Sequence, residues 1–321
     1  MAARGFTKGL HDLGNGCFAW LQPNGGWGYS NSGLVVDSGQ SMIVDTLYDL
    51  PKTREMLAAY RAAAPAIRNF DIVLNSHANG DHTYGNQLVA GARIIATRAA
   101  AEDMAARRPE ERTQLMRDWR TRGAYGEWAH ETYARDFDFE GLVYTPATES
   151  FEKEMTFRVG TKEVHLVNVG PAHTRGDMLA YVPADRVVYT GDIVFADVHP
   201  AIWAGPIANW IAACDLMLGW DIETVVPGHG PLTDKNGVRQ LREYFVYIAA
   251  ETRRRFDAGM SEAEAAIDIS LDAFRGWADP ERIVINVSTL YAEFSGGRHR
   301  TKPEDLYTRL RRYTREAKAR R

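Results

Sequence analysis

Residues able to hold a metal ion crowd into one short run of this chain. His77, Asn79, Asp81 and His82 fall within His-Ala-Asn-Gly-Asp-His, directly after the apolar stretch DIVLNS, which reads as a strand. Three more candidates lie far downstream in glycine-rich settings: His173 in GPAHTRGD, Asp192 in YTGDIVF and His229 in VPGHG. Imidazole and carboxylate together supply nitrogen and oxygen donors, the set that suits zinc and other transition metals. A helix would not place His77, Asn79 and Asp81 on one face, whereas a turning loop can aim them at one centre. Gly80 is read as permitting a tight backbone path. Taken alone, His173 reads equally well as a turn cap and Asp192 as an ordinary turn aspartate. One situation recurs, however: a metal-capable side chain just beyond a strand and beside glycine. That recurrence favours one shared metal site built from loops at strand ends.

The pattern closely resembles that of the metallo-beta-lactamase fold superfamily of metallohydrolases. The first motif of that family is His-x-His-x-Asp-His, and here it stands as His77-x-Asn79-x-Asp81-His82. Motif order and flanking glycines match over about residues 15–232. The resemblance implies an α+β fold, a four-layer αβ/βα sandwich with the metal centre at one edge of two sheets. It also implies a division of ligands. His77, residue 79 and His173 would serve one metal, Asp81, His82 and His229 the other, and Asp192 would bridge them. True beta-lactamases carry cysteine at the bridging position, so Asp192 looks more like the thioesterase, lactonase and phosphodiesterase branches. Asn79 replaces an imidazole with a neutral, poorer donor, which should weaken the first site. Three outcomes follow: two metals with Asn79 as a weak or outer ligand, one metal at Asp81, His82 and His229, or altered chemistry. The expected cofactor is zinc, one or two per chain, with iron or manganese as alternatives.

The resemblance further implies a metal-dependent hydrolase that attacks a carboxylic ester, thioester or lactone with metal-activated hydroxide. Asp81 would orient that nucleophile or accept its proton. Asn79 would help polarise the carbonyl if only one metal binds. Beta-lactam hydrolysis, phosphodiester hydrolysis and a non-hydrolytic cyclase or lyase reaction are the alternatives; a mere scaffold would be expected to lose more ligands than one. Four residues are candidates for the substrate pocket. Trp27 and Tyr29 sit in the glycine-rich PNGGWGYSN, and His199 and Trp203 in the loop DVHPAIW. The competing reading of His199 is a surface-loop histidine. Trp119 and Trp128, in a helical stretch, read rather as core. Such a pocket suits a small molecule with a hydrophobic or aromatic acyl group.

The elements that must position these residues are legible in outline. CFAWLQP, SGLVVDSG and QSMIVDT read as successive strands, and LPKTREMLAAYRAAA as a helix with Pro51 near its start. GARIIAT is a strand leading into a helical insertion at about 98–135, divided by Pro109 and Gly123. EMTFRVG, KEVHLVNVG, DMLAYVP and RVVYTGD form a second run of strands. ANWIAACDLMLGW is helical and ETVVPG a last strand. Hairpin-like clusters of this kind argue against a doubly wound sheet. Residues 1–235 are expected to form the metal-binding domain and 236–321 a helical extension that covers the pocket or contacts a second copy in a homodimer.

Composition narrows the classes. The chain has 321 residues, 45% apolar and 25% charged, as in a soluble globule. Its net charge of -4 argues against a nucleic-acid-binding surface. Two cysteines, Cys17 and Cys214, suggest no disulfide framework. No long apolar run or signal segment stands out, so a cytoplasmic protein without membrane contact is expected. Residues 298–321 carry ten Lys/Arg against three acids, read as a solvated terminal helix or a contact for an acidic partner or an anionic substrate.

Overall fold

The computed structural model describes residues 5–67 and 69–319. Seven strands form a first sheet in sequence order: β1 (Gly9–Gly14), β2 (Cys17–Leu21), β3 (Ser32–Asp37), β4 (Gln40–Val44), β5 (Ile72–Leu74), β6 (Arg93–Thr97) and β7 (Glu149–Phe151). β1 to β4 pair antiparallel as a meander, and β4 to β7 pair parallel. The second sheet runs β12-β11-β10-β9-β8, from β8 (Glu154–Val159), β9 (Lys162–Asn168), β10 (Met178–Val182), β11 (Val187–Tyr189) and β12 (Thr224–Val226). Only β11 and β12 pair parallel within it.

The helices are α1 (Leu50–Ala63), α2 (Gly80–Thr83), α3 (Arg98–Ala106), α4 (Pro109–Asp118), α5 (Gly123–Tyr133), α6 (Ile207–Gly219), α7 (Lys235–Asp257), α8 (Glu262–Asp268), α9 (Ile283–Phe294) and α10 (Pro303–Ala319). Pro109 and Gly123 are the first residues of α4 and α5.

Period-two alternation builds the layers. Met42 and Val44 of β4 meet Met178, Ala180 and Val182 of β10 and Val187 and Tyr189 of β11 in one core between the sheets. The intervening Ile43 faces outward onto Met56, Leu57 and Tyr60 of α1. Leu179, Tyr181 and Val188 face the other way, into a core shared with Trp210 of α6, Tyr244 and Phe245 of α7 and Leu290 of α9. The result is the four-layer αβ/βα sandwich. Leu115 of α4, Trp128 of α5 and Leu310 of α10 belong to that last core too, so the insertion and the C-terminal helices pack as one body against the second sheet.

Two strands had no clear signal in the sequence. β1 is half-exposed without alternation, and β7 is three residues long. Cys17 and Cys214 are free and buried. Among the described residues no helix is long and apolar enough to cross a membrane.

Candidate metal centre

Every candidate ligand follows the C-terminal end of a strand. His77 to His82 follow β5, His173 follows β9, Asp192 follows β11 and His229 follows β12. Backbone bonds lock these loops together. Met178 N–H donates to Ser76 carbonyl, tying the sheets, and Gly228 N–H donates to Gly191 carbonyl. The Asn31 side chain donates to the carbonyls of Pro227 and Gly230, on either side of His229. A Cβ on Gly228 would lie 2.0 Å from Asp192 Oδ1, so only glycine lets the two loops meet. Gly80 plays a different part from the tight backbone path expected of it. Its φ is not in the left-handed region, and its missing side chain makes room for the Tyr84 ring.

The structure brings all seven candidates together. Asp192 divides its oxygens between two groups. Its Oδ2 lies 3.2 Å from His173 Nε2 and 3.8 Å from His77 Nε2. Its Oδ1 lies 3.1 Å from His82 Nε2 and 3.5 Å from His229 Nε2. Asp81 Oδ2 stands 3.3 Å from His229 Nε2 and 3.9 Å from His82 Nε2. The four histidines and Asp192 are buried, while Asn79 and Asp81 reach the cavity above.

All four imidazoles face inward through Nε2 because Nδ1 is engaged outside. His173 Nδ1–H donates to Ala201 carbonyl at 2.7 Å and His229 Nδ1–H to Gly25 carbonyl at 3.1 Å. His82 Nδ1–H donates to Asp45 Oδ2 at 2.8 Å. Ser76 gives its hydroxyl proton to Asp45 Oδ2, so it accepts from His77 Nδ1–H at 2.9 Å. Each ring is thereby oriented with Nε2 toward the cluster, the orientation of metal-bound histidine. Asp177 shapes the turn that carries His173, accepting from the backbone N–H groups of Ala172 and Thr174 and from the Thr174 hydroxyl.

Three supporting residues, Asp45, Ser76 and Asp177, were not singled out in the sequence. Their one signal was position: Ser76 directly precedes His77, and Asp45 ends a strand beside the ligand loop.

The donor set fits a metal. His77 Nε2, His82 Nε2 and Asp192 Oδ1 are buried without a hydrogen-bond partner among the described residues, although His82 Nε2 and Asp192 Oδ1 are 3.1 Å apart. Two groups, His77 with His82 and Asp192, and Asp81 with His82 and His229, bring their donor atoms within 4.8 Å of one another. Charge is strongly coupled here. Burial and the charge of His82 push His77 well below the ordinary imidazole range. Burial opposes the His229 cation, yet Asp192 and Asp81 raise it to about 9. Burial likewise opposes the Asp81 carboxylate, but His82 and His229 hold it down to about 2. A divalent cation replaces the shared protons in such a cluster.

Asn79 precedes α2 and points its Nδ2 at His173 Nε2, 2.9 Å away. The amide therefore donates to the lone pair that a metal at His77 and His173 would use. Amide orientation follows from the bonding network, since His173 Nδ1 already donates to Ala201.

Above the cluster lies a cavity of about 1220 Å³. Trp27, Trp128 and Trp203 form one wall, with Trp27 and Trp128 edge to face at 5.2 Å. Trp27 is held by Arg282, whose guanidinium lies 4.1 Å over its ring, and donates Nε1–H to Glu281. Trp128, expected in the core, is both buried and on this wall. Trp119 lies outside the core and stacks on His130.

Two pocket assignments are corrected. Tyr29 turns away to pack on Phe137, with ring centroids 4.9 Å apart, and does not line the cavity. His199 is buried behind Arg282, which bonds to its carbonyl, and its ring contacts Tyr244 and Trp277. The lining is also less apolar than expected, since Arg107, Arg108, Arg112 and Arg175 contribute to it.

Comparison with known proteins agrees with this geometry. A family model described as the metallo-beta-lactamase superfamily matches residues 25–229. No curated protein matches the chain. Among solved structures, the stereoselective inverting sec-alkylsulfatase Pisa1 from Pseudomonas sp. superposes with a TM-score of 0.65 at 15% identity, over 90% of this chain and 50% of that one. The chain thus spans about half the length of that enzyme. The metallo-beta-lactamase from Pontibacter korlensis superposes with a TM-score of 0.54 at 16% identity, over 74% of this chain and 99% of that one. TMB-1 gives 0.52 at 17% identity, over 74% and 98%. At such identities these likenesses speak to the fold alone.

Proposed function

The chain belongs to the metallo-beta-lactamase superfamily, and from that premise we propose that it is a metal-dependent hydrolase of a carboxylic ester, thioester or lactone. The observation that carries this reading is the set of four inward Nε2 atoms around a divided Asp192 carboxylate, each imidazole fixed from behind. Zinc is the ion best matched to these donors. Asp81, His82, His229 and Asp192 form the stronger site, because the lone pair of His173 in the other is already engaged by Asn79. When bound, the metal supplies Lewis-acid activation of water and of the scissile carbonyl oxygen.

The protein residues divide the remaining work. Asp192 spans both halves of the cluster and fixes their separation. Asp81 presents a carboxylate to the cavity and orients the attacking water, taking its proton. Asn79, at the cavity floor, presents an amide N–H that can donate to the developing oxyanion once His173 is engaged by metal. Trp27, Trp128 and Trp203 hold the apolar part of the substrate and exclude bulk water. The substrate is a small molecule.

A substrate panel tests the reading: p-nitrophenyl acyl esters, acyl-CoA, homoserine lactones, nitrocefin, bis-p-nitrophenyl phosphate and a secondary alkyl sulfate. Turnover is expected with the first three classes, and Asp81→Ala should lower kcat by about 100-fold or more, the scale of a lost acid–base group. Unchanged turnover in Asp81→Ala, or activity confined to nitrocefin, phosphate or sulfate esters, would overturn it.

A further inference from the structure

Arg112, in α4, lines the cavity and forms no ion pair with a carboxylate among the described residues. Tyr48, Tyr84, Tyr125 and Tyr133 line the cavity around it. Its guanidinium lies 5.3 Å from the Tyr133 ring centroid, 5.5 Å from Tyr48 and 5.9 Å from Phe139. Its Nη1 is enclosed without a hydrogen-bond partner among the described residues. Of the other arginines that line the cavity, Arg107 and Arg108 are exposed to solvent, Arg122 lies near Asp118, and the remaining two are matched by acids. Arg175 pairs with Asp103 and Glu102, and Arg282 with Asp279.

An enclosed cation without an anion is costly, and aromatic faces offset only part of that cost. The deficit is removed when an anion enters. A guanidinium fork suits a planar or trigonal oxyanion held by two parallel bonds. Arg112 opens onto the cavity that also holds Asp81, Asn79 and His229. Tyr48, Tyr84 and Tyr133 line that cavity together with Arg112 and Asp81, with the Tyr48 and Tyr84 rings stacked at 5.6 Å. An anion held at Arg112 would thus be a second point of attachment within the aromatic-lined cavity, beside the candidate metal cluster.

We propose that Arg112 anchors a carboxylate or sulfonate at the far end of the substrate, so that this enzyme acts on esters bearing a remote negative charge. The inference rests on the hydrolase reading for its chemistry, and it adds the substrate class.

The test compares mono-p-nitrophenyl glutarate with p-nitrophenyl pentanoate, which differ in the terminal charge, on the metal-loaded full chain. The wild type is expected to favour the charged ester by about tenfold or more in kcat/KM, the scale of one charge-assisted bond. Arg112→Met should collapse that ratio toward one, chiefly through KM. Arg112→Lys, which keeps charge but loses the fork, should give an intermediate ratio and decides alone if the Met variant does not fold. Equal kcat/KM for the two esters in the wild type overturns the anchor and leaves the hydrolase reading standing. If neither ester is turned over, the hydrolase reading has failed and titration calorimetry with glutarate and with propanesulfonate judges the anchor separately. Binding that Arg112→Met abolishes supports it, and the stronger of the two ligands identifies the anion. No binding to the wild type overturns it.

Discussion

Asp45 has more influence on the metal cluster than its distance from it suggests. Its carboxylate holds His82 directly and His77 through Ser76, and also accepts from Ser76 N–H. Removing such a partner lets both rings turn. Asp45→Ala is expected to lower metal affinity by about 10–100-fold without removing a ligand, measurable by competition with a chromogenic chelator. His199 makes a different prediction. Burial, helped by the nearby Arg282 charge, lowers its pKa to about 3. The unfolded chain takes up a proton at this residue near pH 6.5 while the folded chain does not, so stability is lost as pH falls from about 6.5 toward 3. His199→Phe should make the acid limb of a denaturation-versus-pH curve shallower; an unchanged limb would show that this ring is not held neutral. The candidate ligands were legible because their types and glycine neighbours declare themselves locally. Asp45, Asp177 and Arg112 were not, since what defines them is contact with residues distant in sequence. His199 was misread for the same reason: its loop looks exposed until Tyr244, Trp277 and Arg282 cover it.

At the scale of elements, loop ends matter more than strand interiors. β5, β11 and β12 were readable as apolar runs and β9 as a mixed polar and apolar stretch, and their C-terminal ends carry the candidate site. The alternation of β10, with Leu179 and Tyr181 opposite Met178, Ala180 and Val182, was enough to demand burial on both faces and hence layers on both sides. What alternation could not convey was β1 and β7, too exposed or too short to show a period. The approach of two elements at Gly228 supplies a sharp test. A methyl there meets Asp192 Oδ1, so Gly228→Ala must displace either the His229 loop or the Asp192 carboxylate. The variant is expected to fold, with a Tm within a few degrees of wild type, and to bind substantially less metal. Retention of full metal content would mean that Asp192 is not fixed where the structure places it.

Over the whole molecule, the C-terminal helices and the insertion complete the cavity that the two sheets begin. Arg282 and Glu281 hold Trp27 from across the chain, and Tyr307 of α10 joins Tyr125 and Trp128 on the wall. The sandwich thus supplies the candidate metal ligands, while the added helices contribute to the shape and charge of the cavity above them. Only the first of these was carried by the motif, because helical packing around a pocket leaves no spacing signature in sequence. The central claim is that the seven-residue cluster is a metal centre with one strong and one weakened half. Elemental analysis of protein purified without chelator or added metal tests it directly. The account predicts about one tightly held equivalent of zinc per chain, rising to two in Asn79→His, where an imidazole replaces the amide that engages His173. Absence of bound metal in both proteins, with no uptake when zinc is supplied, would contradict it.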